Sequence, residues 1–140
     1  MAKPQRVLIT GHTGFIGSVM VPHFLQSGLE VVGLDTGYFD ACTLVPDTAS
    51  VPTIRKDIRD LAPSDLKGCD AIVHLAALSN DPIGNLVAGW TKEINCDASI
   101  RLAELAKEAG IRRYLFSSSC IMYGMSTASV VTEEDRKSVV

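Results

Sequence analysis

Glycines at 11, 14 and 17, within Val7-Leu8-Ile9-Thr10-Gly11-His12-Thr13-Gly14-Phe15-Ile16-Gly17, are spaced to receive a pyrophosphate. Apolar β-formers run into the first of them, and an apolar, small-residue segment follows and ends at Gly28, so the order reads strand, tight turn, helix. Glycine turns the backbone without a Cβ and lets it approach an anion closely, while the N–H groups and positive dipole end of the next helix attract that anion. A second strand, Glu30-Val31-Val32-Gly33-Leu34-Asp35, ends in an acid at the distance expected for a carboxylate that binds adenosine ribose hydroxyls. The combination points to a dinucleotide site. Glycines serving only a tight turn are the alternative, and the strand and helix on either side of the turn weigh against it.

The elements that must hold these residues alternate along the chain. The first helix opens near Gly14 and carries Pro22 inside it, which removes one hydrogen bond and predicts a kink. Thr36 begins an irregular stretch reaching Pro52, a candidate to close over the adenosine end or simply a solvated loop. A short third strand lies within Thr53-Ile54-Arg55-Lys56-Asp57-Ile58-Arg59-Asp60, and Pro63-Ser64-Asp65-Leu66 starts a helix of a few turns at most, ended by Gly68. Asp70 to Ala77 is a nearly continuous apolar run, as expected of a strand buried on both faces in a parallel sheet. Ile94, Ala98, Leu102 and Leu105 with Ala106 mark a long amphipathic helix from Trp90 to Ala109, and Arg112 to Ser117 is a fifth strand. Five strands interleaved with helices predict an α/β, doubly wound parallel sheet of Rossmann type, in the order 3-2-1-4-5. From Met125 to Val140 the pattern dissolves, and the charge run Glu133-Glu134-Asp135-Arg136-Lys137 reads as a solvated loop.

Composition bounds the function. The 140 residues, 46% hydrophobic and 21% charged, suit one globular domain. A net charge of -3 with no Lys/Arg cluster argues against nucleic-acid and membrane-surface partners. Cys42, Cys69, Cys96 and Cys120 form no CxxC pair and have no histidine at ligand spacing, so no metal site and no disulfide framework is expected. They read as small core or semi-buried thiols in a reducing compartment. With no signal-like or membrane-length apolar run, the expectation is a cytoplasmic protein.

Taken together, separate stretches resemble the extended short-chain dehydrogenase/reductase family, the NAD-dependent nucleotide-sugar epimerases and dehydratases. Thr10 to Gly17 is similar to its TGxxGFIG fingerprint, Asp57-Ile58 to the pair after its third strand, His74-Leu75-Ala76-Ala77 to its HxAA turn, and Ser117 to Gly124 to its SSxxxYG segment. The resemblance implies that Gly11, Gly14, Phe15, Ile16 and Gly17 wrap the pyrophosphate of NAD and that Asp35 binds the adenosine ribose. It implies that Asp57 and Ile58 flank adenine, that Leu75, Ala76 and Ala77 line the cofactor, and that Asn95 lies beneath it. Ser119 would be the catalytic Ser/Thr, bonding the reacting hydroxyl or carbonyl of a nucleotide-sugar substrate; a strand-end hydroxyl satisfying the backbone is the plainer reading of that residue. Tyr123 belongs to the serine segment, and His74, in the matched turn, reads as structural. A homodimer through the fourth and fifth helices of the fold is a further implication. Independently of the resemblance, a carboxylate at Asp35 repels a 2′-phosphate, and Thr36-Gly37-Tyr38 offers no arginine to bind one, which favours NAD over NADP.

The family's chemistry uses a YxxxK pair, and none occurs: Tyr38, Tyr114 and Tyr123 are followed at the fourth place by Cys42, Ser118 and Thr127. Residues 1–140 therefore read as an incomplete NAD-binding Rossmann domain, the N-terminal portion of an enzyme that oxidises a sugar carbon to a keto-sugar, inactive alone, with the substrate domain elsewhere. Dehydratases of the family carry Asp-Glu after the serine, where this chain has Cys120-Ile121; that favours an epimerase or ketoreductase. Asp81 to Asn85 could border the sugar site, or be a surface loop. A non-catalytic NAD-binding or redox-sensing module and a protein-binding scaffold are the alternatives, the first favoured by the missing YxxxK.

Overall fold

A computed structural model describes residues 5–42, 50–79, 87–119 and 132. Its sheet has five parallel strands in the order β3-β2-β1-β4-β5. These are β1 (Arg6–Thr10), β2 (Glu30–Asp35), β3 (Thr53–Arg55), β4 (Ala71–His74) and β5 (Arg113–Phe116). Helix α1 (Phe15–Gln26) follows β1 and is continuous through Pro22. Between β4 and β5 run α2 (Ala88–Thr91), a π-helical segment (Lys92–Asp97) and α3 (Ala98–Glu108).

Strand alternation sorts the core into two layers, as successive side chains point to opposite faces. Val7, Ile9, Val31 and Val73 pack on the side of α1 with Val21, while Leu8, Val32, Leu34 and Ile72 face Leu102 and Ala106 of α3. The glycine turn and the ends of β1, β2 and β4 thus meet at the carboxyl edge of the sheet, between the layers. β5 is an edge of the described sheet, and its Leu115 and Phe116 are more than half exposed.

The strand order is the expected one, and the differences are local. β4 ends at His74 rather than Ala77: Leu75 N–H still donates to the Thr10 carbonyl of β1 at 3.1 Å, but it and Ala76 N–H turn to the Thr10 hydroxyl at 3.2 Å. Pro63–Leu66 is a short 3₁₀ turn instead of a longer helix, and the helix read as regular from Trp90 contains the π segment. Cys42 and Cys96 are exposed and Cys69 is half-buried, so the reading of small core thiols fails for the first two. No described helix is long and apolar enough to cross a membrane. Cys120, Ile121, Tyr123, the loop Asp81 to Asn85 and the charge run Glu133 to Lys137 lie outside the described residues.

Candidate functional site

Gly11 turns the chain out of β1 with φ +71°, a left-handed conformation open to glycine, and its N–H donates to the Leu34 carbonyl at 2.8 Å. A Cβ there would fall 2.8 Å from the Ala76 nitrogen, and one on Gly17 would fall 2.5 Å from the carbonyl oxygens of Gly11 and His12. These two glycines therefore let the turn, the irregular segment just after β4 and the start of α1 pack closely. Gly14 is the N-cap of α1; no side chain caps it and the first turn contains no acid. The leading N–H groups of a helix have no intrahelical acceptor, so this end presents donors and positive potential.

At the end of β2, Asp35 is held by two backbone donors: Thr13 N–H to Oδ2 at 3.1 Å and Gly37 N–H to Oδ1 at 2.9 Å. The carboxylate thus stands beside the glycine turn in a fixed orientation. Between them opens a cleft of about 440 Å³. Gly11, Gly14, Phe15, Ile16, Gly17 and Asp35 line it, as do Asp57, Ile58, Leu75, Ala76 and Ala77. The sheet brings these eleven into one cavity from stretches far apart in sequence. Phe15 is 93% exposed, as befits a side chain at an open rim.

Two expected residues stand elsewhere. Asn95 is not among the lining residues; its side chain bonds both backbone groups of Leu78, accepting from N–H at 2.8 Å and donating to the carbonyl at 2.9 Å. Leu78 itself lines the cleft, so Asn95 acts on the wall and not on its surface. Ser119 lies exposed beyond β5, also outside that lining.

Asp57 has a second engagement. Its Oδ1 accepts from Arg59 N–H and Nε–H, and its Oδ2 from Nη2 at 2.9 Å; the guanidinium holds the carboxyl below its ordinary value. Arg59 also reaches Glu93 at 3.1 Å, fastening the wall to the π segment.

Behind the glycine turn, His12 is buried with its ring against Gly33 of β2. Thr53 Oγ1 donates to the Val51 carbonyl at 3.0 Å, so His12 Nε2–H donates to Thr53 Oγ1 at 3.0 Å and leaves Nδ1 buried with no hydrogen bond. Burial pushes the imidazole below its ordinary value, against the pull of Asp35. The ring therefore fills space neutrally and ties the turn to β3.

Tyr38 and Phe39, on the loop after β2 read as a candidate to close over the adenosine end, line the cleft, while Lys56 after β3 and Ile94 in the π segment are not singled out by the sequence as lining residues. An aromatic pair three and four residues after Asp35 was a usable signal. Nothing in the sequence announces the π geometry that sets Ile94 and Asn95.

The model of the NAD-dependent epimerase/dehydratase family matches residues 7–139. UDP-glucose 4-epimerase of Neisseria meningitidis serogroup C is 34% identical over 134 residues, covering 86% of this chain and 38% of its own length. The solved structure of MoeE5 with UDP-glucuronic acid and NAD superposes with a TM-score of 0.77 at 35% identity, covering 92% of this chain and 41% of that one. UDP-glucose 4-epimerase of Thermus thermophilus in complex with NAD gives 0.78 at 28% identity, over 94% and 43%. The chain thus spans about two-fifths of the length of these relatives. With a glycine turn facing the Asp35 carboxylate on a 3-2-1-4-5 parallel sheet, and the family model matching residues 7–139, this chain belongs to the NAD-dependent epimerase/dehydratase family.

Proposed function

We propose that this chain is the NAD-binding portion of a nucleotide-sugar epimerase acting on a UDP-hexose. The observation that carries the reading is Asp35, oriented by Thr13 and Gly37 at the edge of a cleft whose other wall is the glycine turn. The residues fit the dinucleotide: the uncapped start of α1 offers donors to a pyrophosphate, Asp35 accepts from ribose hydroxyls, and Ile58 with Asp57 borders the adenine end. NAD held there would supply a hydride acceptor for oxidation of a sugar carbon.

The chain's own residues bind and orient. Leu75, Ala76 and Ala77 would line the cofactor near its ribose and pyrophosphate, and Ser119 would hydrogen-bond the reacting oxygen. No YxxxK pair occurs in these 140 residues, and we assign the base to none of them. Cys120 and Ile121 lack the acid and base that water elimination needs, which favours returning the hydride to the opposite face over dehydration.

Calorimetric titration of the chain with NAD tests the binding site. Saturable binding, weakened at least about tenfold by Asp35→Ala, is expected, because that change removes a charge-assisted acceptor. A folded chain that binds no NAD overturns the proposal. For the whole protein, the check is interconversion of UDP-glucose and UDP-galactose followed by NMR.

A further inference from the structure

Three cations follow one another on and just beyond β3, at the adenosine end of the cleft, and each is held by a carboxylate. Lys56 pairs with Asp65 at 2.7 Å, and Arg59 with Asp57 at 2.9 Å. Arg55 pairs with Asp40, on the short 3₁₀ turn (Asp40–Cys42) after β2. The three pairs differ in how firmly they are built. Asp65 has only 12% of its side chain exposed and also accepts from Ala62 N–H, and Asp57 grips Arg59 in a fork. Arg55 and Asp40 are 55% and 41% exposed and join two segments of the chain.

Position makes this looser pair the interesting one. Asp35 and Arg55 are register partners on neighbouring parallel strands, so their side chains leave the same face. The guanidinium lies against Gly37, where a Cβ would collide with Nη1 and would come within 2.9 Å of Asp40 Oδ2. Gly37 is also the residue whose N–H holds Asp35 Oδ1. Arg55 therefore adjoins the carboxylate assigned to the ribose, and Asp40 draws its charge away.

We propose that the Asp40–Arg55 pair is a second determinant of coenzyme choice: by occupying the guanidinium, Asp40 denies a 2′-phosphate the arginine that stands beside its binding position. This rests on the reading of the cleft as an NAD site. Asp35 excludes NADP by repulsion, and Asp40 excludes it by competing for the cation. An arginine binds phosphate through a forked, charge-assisted contact, the same geometry it offers a carboxylate, so one partner displaces the other. Removing Asp35 alone lifts the repulsion without supplying attraction.

The test is calorimetric titration of the chain with NAD and with NADP, at low and high salt, for the wild type, Asp35→Ser, Asp35→Ser/Asp40→Asn, and the latter with Arg55→Ala added. Unfolding midpoints establish that each variant is folded, as expected for changes at an exposed ion pair. The expected result is that Asp40→Asn tightens NADP at least about tenfold over Asp35→Ser alone, that salt erodes the gain, and that Arg55→Ala abolishes it. Equal NADP affinity with and without Asp40, or a gain that survives Arg55→Ala, overturns the inference while leaving the NAD site standing. A wild type that binds no NAD overturns both.

Discussion

The hydroxyl of Thr10 lies 2.7 Å from Nδ1 of His74, both residues being fully buried, and this contact joins the strand before the glycine turn to the strand on its other side. The donors can be assigned from the network around it. Ser99 donates its hydroxyl to the Asn95 carbonyl at 2.9 Å, so His74 Nε2–H must donate to Ser99 Oγ at 2.8 Å, and Nδ1 is the acceptor of the Thr10 proton. Thr10 Oγ1 in turn accepts from Leu75 and Ala76 N–H. One chain of bonds thus runs from the cleft wall at Ala76 through β1 and β4 to the π segment.

Thr10→Val keeps the shape and deletes the hydroxyl. It leaves Nδ1 of His74 and the Ala76 N–H without this partner, and the expected loss is about 2 to 3 kcal/mol in urea denaturation. A loss below about 0.5 kcal/mol means that these bonds contribute little net stability.

Acid should weaken the fold through the same histidine. Burial pushes the His74 imidazole down to about 4 from 6.5, so the unfolded chain takes a proton that the folded chain refuses. Stability from this residue is complete above 6.5 and falls as pH drops toward about 4, by roughly 3 kcal/mol in total. Carboxylates whose values are lowered, Asp57 among them, withdraw their contribution only below their unfolded value of 3.8. The carboxylates act in a lower window, whereas His12, also lowered by burial, adds a loss of its own in the histidine window that His74→Asn leaves in place. Urea midpoints at pH 7.5 and 4.5 should differ clearly in the wild type and much less in His74→Asn; equal slopes in both proteins would show that His74 is not the group responsible.

How much of this was legible beforehand follows from range. The glycine turn, Asp35 and the strand order are written in local spacing, where a strand must end and a turn must find a glycine, and all appeared in place. Asn95 was legible as a residue but not in its contact: it lies in a π segment and bonds Leu78, seventeen residues earlier, across the fold. The ion pairs of Arg55 and Lys56 were hidden for a similar reason. Their partners Asp40 and Asp65 come from separate loops that only the folded sheet brings together.

Glycine substitutions separate backbone strain from crowding. Gly110 has φ +73° with open space around it, so Gly110→Ala should cost only about 1 kcal/mol. Gly11 has nearly the same φ, but its added methyl would meet the Ala76 backbone, which cannot turn aside like a side chain. Gly11→Ala should therefore cost at least about 2 kcal/mol more than Gly110→Ala and abolish NAD binding. Comparable losses at the two sites would mean that the segment just after β4 yields easily, and that close packing there is not what requires the glycine.

Asn95 offers a test of a residue that shapes the cleft without lining it. Asn95→Ala removes acceptor and donor from the two backbone groups of Leu78 at once, so the segment after β4 loses its anchor to the π segment. The amide of Leu78 should exchange with solvent much faster, and overall stability should fall by about 1 to 3 kcal/mol. NAD affinity should fall several-fold because Leu78, Ala76 and Ala77 share the wall that moves. Asn95→Asp distinguishes support from direct contact: it keeps the acceptor for Leu78 N–H but replaces the donor to the carbonyl with a repelling oxygen. An intermediate exchange rate with intermediate affinity is the signature of a positioning residue. Affinity lost with Leu78 exchange unchanged would place Asn95 against the cofactor itself.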